Sequence, residues 1–370
     1  MADALERALT DWTDDDMPAN PEAWLYTVAR NRLRDKWKSA AYRRSVPLDE
    51  TQFGVGAADP DPPFPDRRLE LMLVCAHPAI STSIRTPLML QAVLGVDAAA
   101  IAAAYAVEPA TMAQRLVRAK KRIRDTGIPF AVPEPEHLAQ RLPAVLEAVY
   151  GAYAIDWQAA PDGSPADSLA AEALHLAMVL AELLPDEPEV LGLAALMCLS
   201  EARRPARRAD DGRFVPLGEQ DATLWDRGLI DRGEDLLIRA HARRRPGRFQ
   251  YEAAIQSAHC SRITGAPVNA ELLRTLYRAL VRIAPSLGAQ VALAALNGEI
   301  DGPAAGLRAL DALTDPAVER FQPAWAVRGD LLTRSGRTAE AAAAYRRAMD
   351  LTGDDEVARY LASKVIEPLS

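Results

Sequence analysis

Residues 98–124 read AAAIAAAYAVEPATMAQRLVRAKKRIR, and this stretch decides how the first part of the chain folds. The alanine-rich segment Ala98–Tyr105 predicts a short helix in which Ile101 is buried. The turn Ala106–Pro109 ends that helix, and a longer helix begins near Ala110, because proline and threonine suit a first helical turn. The pattern predicts a helix-turn-helix, although an ordinary helical hairpin with a solvated basic face fits the same residues.

The longer helix of this pattern has an apolar face and a basic face. Leu116, Ala119 and Ile123 recur at helical spacing and form the apolar face. No acidic residue occurs between Thr111 and Arg124. The cations in this interval are Arg115, Arg118, Lys120, Lys121, Arg122 and Arg124.

A second basic stretch lies between residues 24 and 44. Its cations are Arg30, Arg32, Arg34, Lys36, Lys38, Arg43 and Arg44. The chain as a whole has a net charge of −8, so both stretches stand out against an acidic background. In a chain of several domains, the uneven distribution of charge says more about partners than the sum does. Two basic helices in an acidic chain therefore point to nucleic acid.

The composition favours an all-α protein of more than one domain. Hydrophobic residues make up 49% of the 370 residues, whereas aromatic residues make up 6%. Such a chain suits packed helices better than sheets, which are richer in β-branched and aromatic side chains. The length exceeds what one compact core usually holds, so two or three domains are expected.

Proline and glycine divide the chain into four predicted segments. Residues 1–45 are predicted to be helical, and residues 46–66, which are rich in proline and glycine, form a flexible linker. Residues 67–130 contain the helix-turn-helix pattern, and residues 131–370 form helix after helix. The last helices resemble a tetratricopeptide repeat, and the positions that carry this pattern are Trp325, Gly329, Leu332, Gly336, Ala341, Tyr345 and Ala348.

Several motifs together resemble a known family, the extracytoplasmic-function sigma factors. Asn20–Asp35, which contains Trp-Leu and Ala-Arg-Asn, resembles the second half of sigma region 2, and Pro109–Lys120 resembles the recognition helix of region 4. Cys75–Ala79, Gly127–Phe130 and Leu183–Gly192 resemble the subgroup with a tetratricopeptide-like C-terminal extension. Residues 1–45 then correspond to a partial region 2, residues 67–130 to region 4, and residues 131–370 to the extension.

The resemblance implies a sigma factor that directs RNA polymerase core to promoter DNA and initiates transcription. The extension is then expected to regulate this activity or to bind a protein partner. The residues expected at the minus-35 element are Thr111, Gln114, Arg115, Arg118, Lys121 and Arg122. The residues expected at the minus-10 element are Arg30, Asn31, Arg34 and Lys38.

The chain departs from the family pattern at three places. Family members carry further residues before the equivalent of Met1, including the helix that docks on polymerase, so weakened binding to the core is expected. Alanines at 98–100 replace acidic residues that usually precede Ile101. The aromatic cluster at the start of the extension is altered to Tyr150, Tyr153 and Trp157.

Neither catalysis nor a cofactor is indicated by the sequence. The five histidines are scattered, and no glycine-rich phosphate loop is present. Cys198 and Cys260 have no ligand partner at the spacing of a zinc clip, and Cys75 with His77 is the nearest candidate, for which a buried thiol is the better interpretation. We therefore predict no enzyme activity, no metal and no cofactor.

The N-terminus lacks the pattern of a signal peptide, and no apolar run approaches the roughly 20 residues of a membrane span. These features predict a cytoplasmic protein without a membrane partner. Two alternatives to the sigma factor are open: a tetratricopeptide-like interaction scaffold with vestigial sigma segments, and a helix-turn-helix regulator that does not engage polymerase. The arginine runs at 203–208 and 243–245 fit either an extended nucleic-acid surface or solvated loop ends.

Overall fold

The computed structural model describes residues 66–105, 107–126, 135–158 and 168–365, without the side chains of residues 124, 135 and 136. These residues form α-helices joined by turns and short 3-10 helices. Apart from one isolated bridge between Arg208 and Phe214, the described residues contain no β-structure. The all-α prediction is confirmed for this part of the chain.

The chain divides into two compact units, residues 1–155 and 156–370. The described helices that begin in the first unit are α1 (Arg67–Cys75), α2 (Thr82–Ala92), α3 (Ala98–Ala104), α4 (Pro109–Asp125) and α5 (Pro135–Gln158). The predicted segment 1–45, and with it the expected minus-10 residues, lies outside the described residues, as does all of the predicted linker except Asp66.

The core of the first unit lies where the apolar faces of α1, α2 and α3 meet. Leu69, Met72, Leu88, Met89 and Ile101 are completely buried in it. Burying a leucine, isoleucine or methionine side chain contributes about 1.5 to 3 kcal/mol each, so this core is a stable support for the helices that follow.

Helix α5 contacts other helices of the first unit through Arg141 and Gly151. Its buried Arg141 donates a hydrogen bond of 3.0 Å to the carbonyl oxygen of Leu73, near the end of α1. The last carbonyls of a helix have no partner within the helix, so an arginine is a suitable donor there. A Cβ atom added to Gly151 would lie 3.7 Å from Leu90, which shows how closely α5 approaches α2.

The second unit consists of further helices in succession. They are α6 (Leu169–Leu183), α7 (Pro188–Glu201), α8 (Arg227–Ala242), α9 (Arg248–Cys260), α10 (Ala270–Ile283), α11 (Leu287–Ile300), α12 (Pro303–Asp311), α13 (Gln322–Arg334), α14 (Thr338–Leu351) and α15 (Asp355–Ser363). The 3-10 helices between them are Arg204–Arg207, Leu217–Glu219, Ala222–Leu224, Ser261–Thr264 and Pro316–Arg320.

Helix α7 is the central helix of the early part of this unit, and it packs against α6, α8 and α9. Every residue from Val190 to Ser200 is buried, as expected for a helix that is apolar on all sides. Helix α9 approaches so closely that a Cβ atom on Gly192 would lie 2.8 Å from the backbone nitrogen of Gln250. The carboxylate of Glu189 accepts hydrogen bonds from the backbone nitrogens of Phe249 (3.0 Å) and Gln250 (3.3 Å), and so caps α9.

Helices α13 and α14 form a close pair around a glycine. A Cβ atom on Gly329 would lie 2.7 Å from the ring of the buried Tyr345, so only glycine fits there without a shift. Gly336 ends α13 with a positive φ of 72°, and the backbone nitrogen of Arg337 donates to the carbonyl oxygen of Leu332 (3.0 Å). This is a Schellman ending, which satisfies the last carbonyls of α13 and turns the chain into α14.

Candidate nucleic-acid interface

The buried face of α4 holds this helix firmly in the first unit. Met112, Leu116 and Ala119 are buried at spacings of four and three residues. The turn before α4 is closed by a hydrogen bond of 2.9 Å from the backbone nitrogen of Val107 to the carbonyl oxygen of Ala102. Helices α3 and α4 are therefore fixed relative to one another by both packing and backbone hydrogen bonding.

The opposite face of α4 is open and positively charged. All of the residues predicted for the minus-35 element are exposed: Thr111, Gln114, Arg115, Arg118, Lys121 and Arg122. No described residue forms an ion pair with the last four of these. The residues predicted on one face of the helix thus do share one face, and their charges are available to an anionic partner.

The exposed face of α4 also contains a residue that the sequence analysis overlooked. Val117 has 66% of its surface exposed. It lies three residues after Gln114 and four before Lys121, so it shares their side of the helix. The apolar face predicted from Leu116, Ala119 and Ile123 does not include Val117, so the same helical spacing could have indicated its exposure.

The arginine run at 203–208 is neither a nucleic-acid surface nor a set of solvated loop ends. Arg203 is buried, with 6% of its surface exposed. Its Nε donates a hydrogen bond to the carbonyl oxygen of Leu199 (3.4 Å), and its Nη2 donates one to the side-chain oxygen of Gln256. Arg204 forms ion pairs with Glu201 and with Asp156, the latter at 3.5 Å. Both arginines are occupied inside the second unit.

The rest of this run is also engaged within the second unit. The guanidinium of Arg207 stacks over the ring of Trp157 at 3.8 Å and donates to the carbonyl oxygen of the same residue (3.1 Å). Arg208 forms an ion pair of 2.6 Å with Asp354, the residue that caps α15. Residues far apart in the sequence are therefore joined by these arginines.

Two residues of the run Arg243–Arg245 contact the turn between α6 and α7. Arg243 forms an ion pair of 2.6 Å with Asp186, and Arg245 donates to the backbone carbonyl oxygen of Asp186 (2.9 Å). Arg244 adopts a positive φ of 53°, which is uncommon for a residue with a side chain. Because Arg243, Arg244 and Arg245 are all exposed, this run fits the solvated loop ends of the alternative interpretation, with surface ion pairs to the turn before α7.

The cysteines and histidines do not form a metal or catalytic centre among the described residues. Cys75, Cys198 and Cys260 are all buried, and burial raises the pKa of Cys75 to about 12 and that of Cys198 to about 11. At neutral pH such thiols are protonated, which is the form least suited to metal binding or nucleophilic attack. His77 uses its Nδ1 to accept a hydrogen bond from the backbone nitrogen of Ala79 (3.1 Å). In the described part of the chain, no three potential metal-binding side chains of His, Cys, Asp or Glu are grouped together.

No helix in the described part of the chain combines sufficient length with sufficient apolar character to cross a bilayer.

The chain is similar in sequence to a family model and to a bacterial protein. A family of unknown function (DUF6596) matches residues 141–241, which run from α5 to α8 and include the arginine run at 203–208. An uncharacterized protein of Rhizobium meliloti (strain 1021) is 34% identical over 371 residues, a match that covers 97% of this chain and 86% of the relative. No solved structure matches the chain.

Proposed function

We propose that this chain, which belongs to the same family as the Rhizobium meliloti protein, is a sigma factor of the extracytoplasmic-function class. The observation that carries the proposal is the exposed basic face of α4. The opposite, apolar face of the same helix is buried. An α-helix fits the major groove of B-form DNA, and exposed Arg and Lys side chains neutralise its phosphates. In this proposal, α3 and α4 are the two helices of a helix-turn-helix, and α4 reads the minus-35 element.

The exposed side chains of α4 suit two different kinds of DNA contact. Gln114, Arg115 and Arg118 lie at spacings that bring them to the same groove, and glutamine and arginine can each form paired hydrogen bonds with a base edge. Lys121 and Arg122 follow one turn later, where phosphate contacts would fix the position of the helix on the duplex. The minus-10 contacts of Arg30, Asn31, Arg34 and Lys38, and the partnership with RNA polymerase core in the cytoplasm, belong to the same proposal.

Residues 131–370, which include α5 and the whole second unit, are proposed to be a tetratricopeptide-like extension that regulates the sigma factor or binds a protein partner. Support comes from the close approach of α13 and α14 at Gly329 and Tyr345. Earlier in the unit, Gly298 and Gly306 approach each other in the same way, since a Cβ atom on Gly306 would lie 2.9 Å from the Cα atom of Gly298. Small residues where two helices cross are typical of such repeats.

The proposal is tested by run-off transcription with bacterial RNA polymerase core. Wild-type protein, added in excess over core because weakened core binding is expected, should support promoter-dependent transcripts. Arg115→Ala should reduce them about fivefold or more at a limiting core concentration, because one lost base contact costs about 1 to 3 kcal/mol. Arg243→Ala is the matched control, since this arginine is already paired with Asp186, and it should transcribe like wild type.

Two outcomes would contradict the proposal. DNA binding without any transcript would favour the helix-turn-helix regulator that does not engage polymerase. Failure to bind either DNA or polymerase core would favour the interaction scaffold.

A further inference from the structure

Val117 is an unexpected residue at its position in α4. A β-branched side chain on an exposed helical face costs helix stability relative to alanine, arginine or lysine. The apolar residues Met112, Leu116 and Ala119 of this helix are buried, whereas Val117 is 66% exposed. Single exposed apolar residues are common on protein surfaces, so exposure alone carries no argument. Its neighbours supply the argument.

The surroundings of Val117 are mostly polar and free of negative charge, although Ala113, four residues before it, is apolar and exposed. Gln114 and Lys121, one turn to either side, are both exposed. No acidic residue occurs in α4 before Asp125, so the whole face attracts a polyanion. An occupant of this face must therefore combine a negatively charged backbone with an apolar group that can meet a valine.

Duplex DNA combines those two features, because thymine presents its C5 methyl group in the major groove. Resting on the DNA-binding function proposed above, we propose that Val117 is a specificity-determining residue that contacts a thymine methyl group. Cytosine offers an amino donor at the corresponding edge, and valine has no acceptor for it. The contact therefore favours thymine and disfavours cytosine at one position of the site.

The helix geometry also predicts where that thymine lies. Val117 follows Gln114 by three residues, which is about 4.5 Å along the helix axis at 1.5 Å per residue. Base pairs are spaced by about 3.4 Å, so the thymine lies within about two base steps of the base that Gln114 contacts. Valine is shorter than glutamine or lysine, so a close approach of α4 to the groove floor is part of the proposal.

The experiment begins with a duplex that the full chain, bound to polymerase core, enriches from a randomised library. Each thymine of that duplex is then replaced, one at a time, by deoxyuridine, which lacks only the methyl group. Wild type should lose about fourfold in affinity at one position, as expected for the burial of one methyl-sized group. Val117→Ala should bind the thymine and uracil duplexes equally well at that position, and Val117→Thr, which keeps one of the two methyl groups, should fall between the two.

The outcomes separate this inference from the proposed function. If no duplex is enriched, the DNA-binding function fails and the role of Val117 fails with it. If a duplex is enriched and Arg115→Ala loses affinity for it, the function stands. In that case, insensitivity of the wild type to every deoxyuridine, or equal sensitivity of Val117→Ala, overturns the role of Val117 alone. Because the side chain is exposed, the circular dichroism of the variants should match that of wild type, which excludes misfolding as the cause.

Discussion

Helix α4 and the arginine run at 203–208 are both dense in positive charge, but the structure uses the two in opposite ways. Arg115 and Arg118 in α4 are exposed, and no described residue forms an ion pair with them. Arg203 donates a hydrogen bond to the side chain of Gln256, and Arg207 stacks on the ring of Trp157. The density of arginine in a sequence therefore does not reveal a nucleic-acid surface; the availability of the guanidinium groups does.

The difference follows from what surrounds each run. Between Pro109 and Arg124 the sequence supplies no acid, and the apolar positions place the cations on the face away from the core. The second run lies at the end of the fully buried α7, where the chain must leave the core. There, arginine can satisfy carbonyl oxygens, carboxylates and an aromatic ring with one planar group. The arginines of the run at 203–208 are structural connectors, whereas those of α4 are open charges.

The largest expected effect concerns the open cations. The double variant Arg115→Ala/Arg118→Ala should lose about 2 to 6 kcal/mol of binding free energy for a DNA duplex selected by the full chain, because each lost contact costs about 1 to 3 kcal/mol. The slope of the logarithm of affinity against the logarithm of salt concentration should change little, because the phosphate contacts are assigned to Lys121 and Arg122, which the double variant keeps. Fluorescence anisotropy over a salt series measures both quantities.

The same double variant should unfold at the same temperature as wild type, because neither arginine has a described ion-pair partner to lose. Wild-type affinity in the double variant would show that α4 is a solvated face. A lowered unfolding temperature would show that its cations are structural, which would remove the contrast with the run at 203–208.

The next largest effect is expected for the engaged arginines of the run at 203–208. Arg203→Ala should lower the free energy of unfolding of the second unit by about 2 to 3 kcal/mol, since hydrogen bonds to a buried charged group are worth about 1.5 to 3 kcal/mol. Urea unfolding followed by circular dichroism measures the change. Arg239→Ala, which removes an exposed arginine from α8, is the control and should unfold like wild type. If Arg203→Ala keeps wild-type stability, the connecting role of this run is wrong.

The pH dependence of stability tests the surroundings of Arg203 through the neighbouring His259. Burial, followed by the charges of Arg203 and Arg262, lowers the pKa of His259 from 6.5 to about 4. The unfolded chain therefore binds a proton more readily than the folded chain between those two values, and stability falls as the pH decreases through this window. From about pH 7.5 to about pH 5 the loss attributable to His259 is about 2 kcal/mol.

The variant His259→Gln isolates this contribution, since glutamine does not titrate. Its free energy of unfolding should decrease less than that of wild type over the same pH range. Arg203→Ala should also weaken the pH dependence, because one of the charges that lower the pKa of His259 is removed. Equal pH dependence in wild type and His259→Gln would contradict the assignment.

The helical class and the basic face of α4 could be predicted from the sequence, because both depend on local periodicity. Met112, Leu116 and Ala119 repeat at helical spacing, and this spacing alone determines which cations face away from them. The same spacing places Val117 off the apolar face, but its exposed fraction of 66% depends on which side chains pack beside the helix and is therefore known only from the structure.

The contacts of the arginine run at 203–208 could not be predicted, because their partners are distant in the sequence. Arg207 contacts Trp157, and Arg208 contacts Asp354, which is 146 residues away. No periodicity or spacing within the run indicates such a partner. Tertiary packing decides whether a guanidinium group is occupied, whereas local patterns decide only which side of a helix it occupies.

The smallest expected effect concerns the ion pair between Arg208 and Asp354, which joins the loop after α7 to the last described helix. The pair is partly exposed, with 29% and 21% of the two side chains accessible, so solvent screens part of the attraction. A double-mutant cycle with Arg208→Ala and Asp354→Asn should give a coupling free energy of about 0.5 to 1 kcal/mol. Asp354→Asn is preferred to alanine because an asparagine oxygen can still accept the hydrogen bonds from the backbone nitrogens of Glu356 and Val357 that begin α15. High salt should reduce the coupling further. A coupling indistinguishable from zero at low salt would show that this arginine is available after all, and the distinction between open and engaged cations would then exclude Arg208.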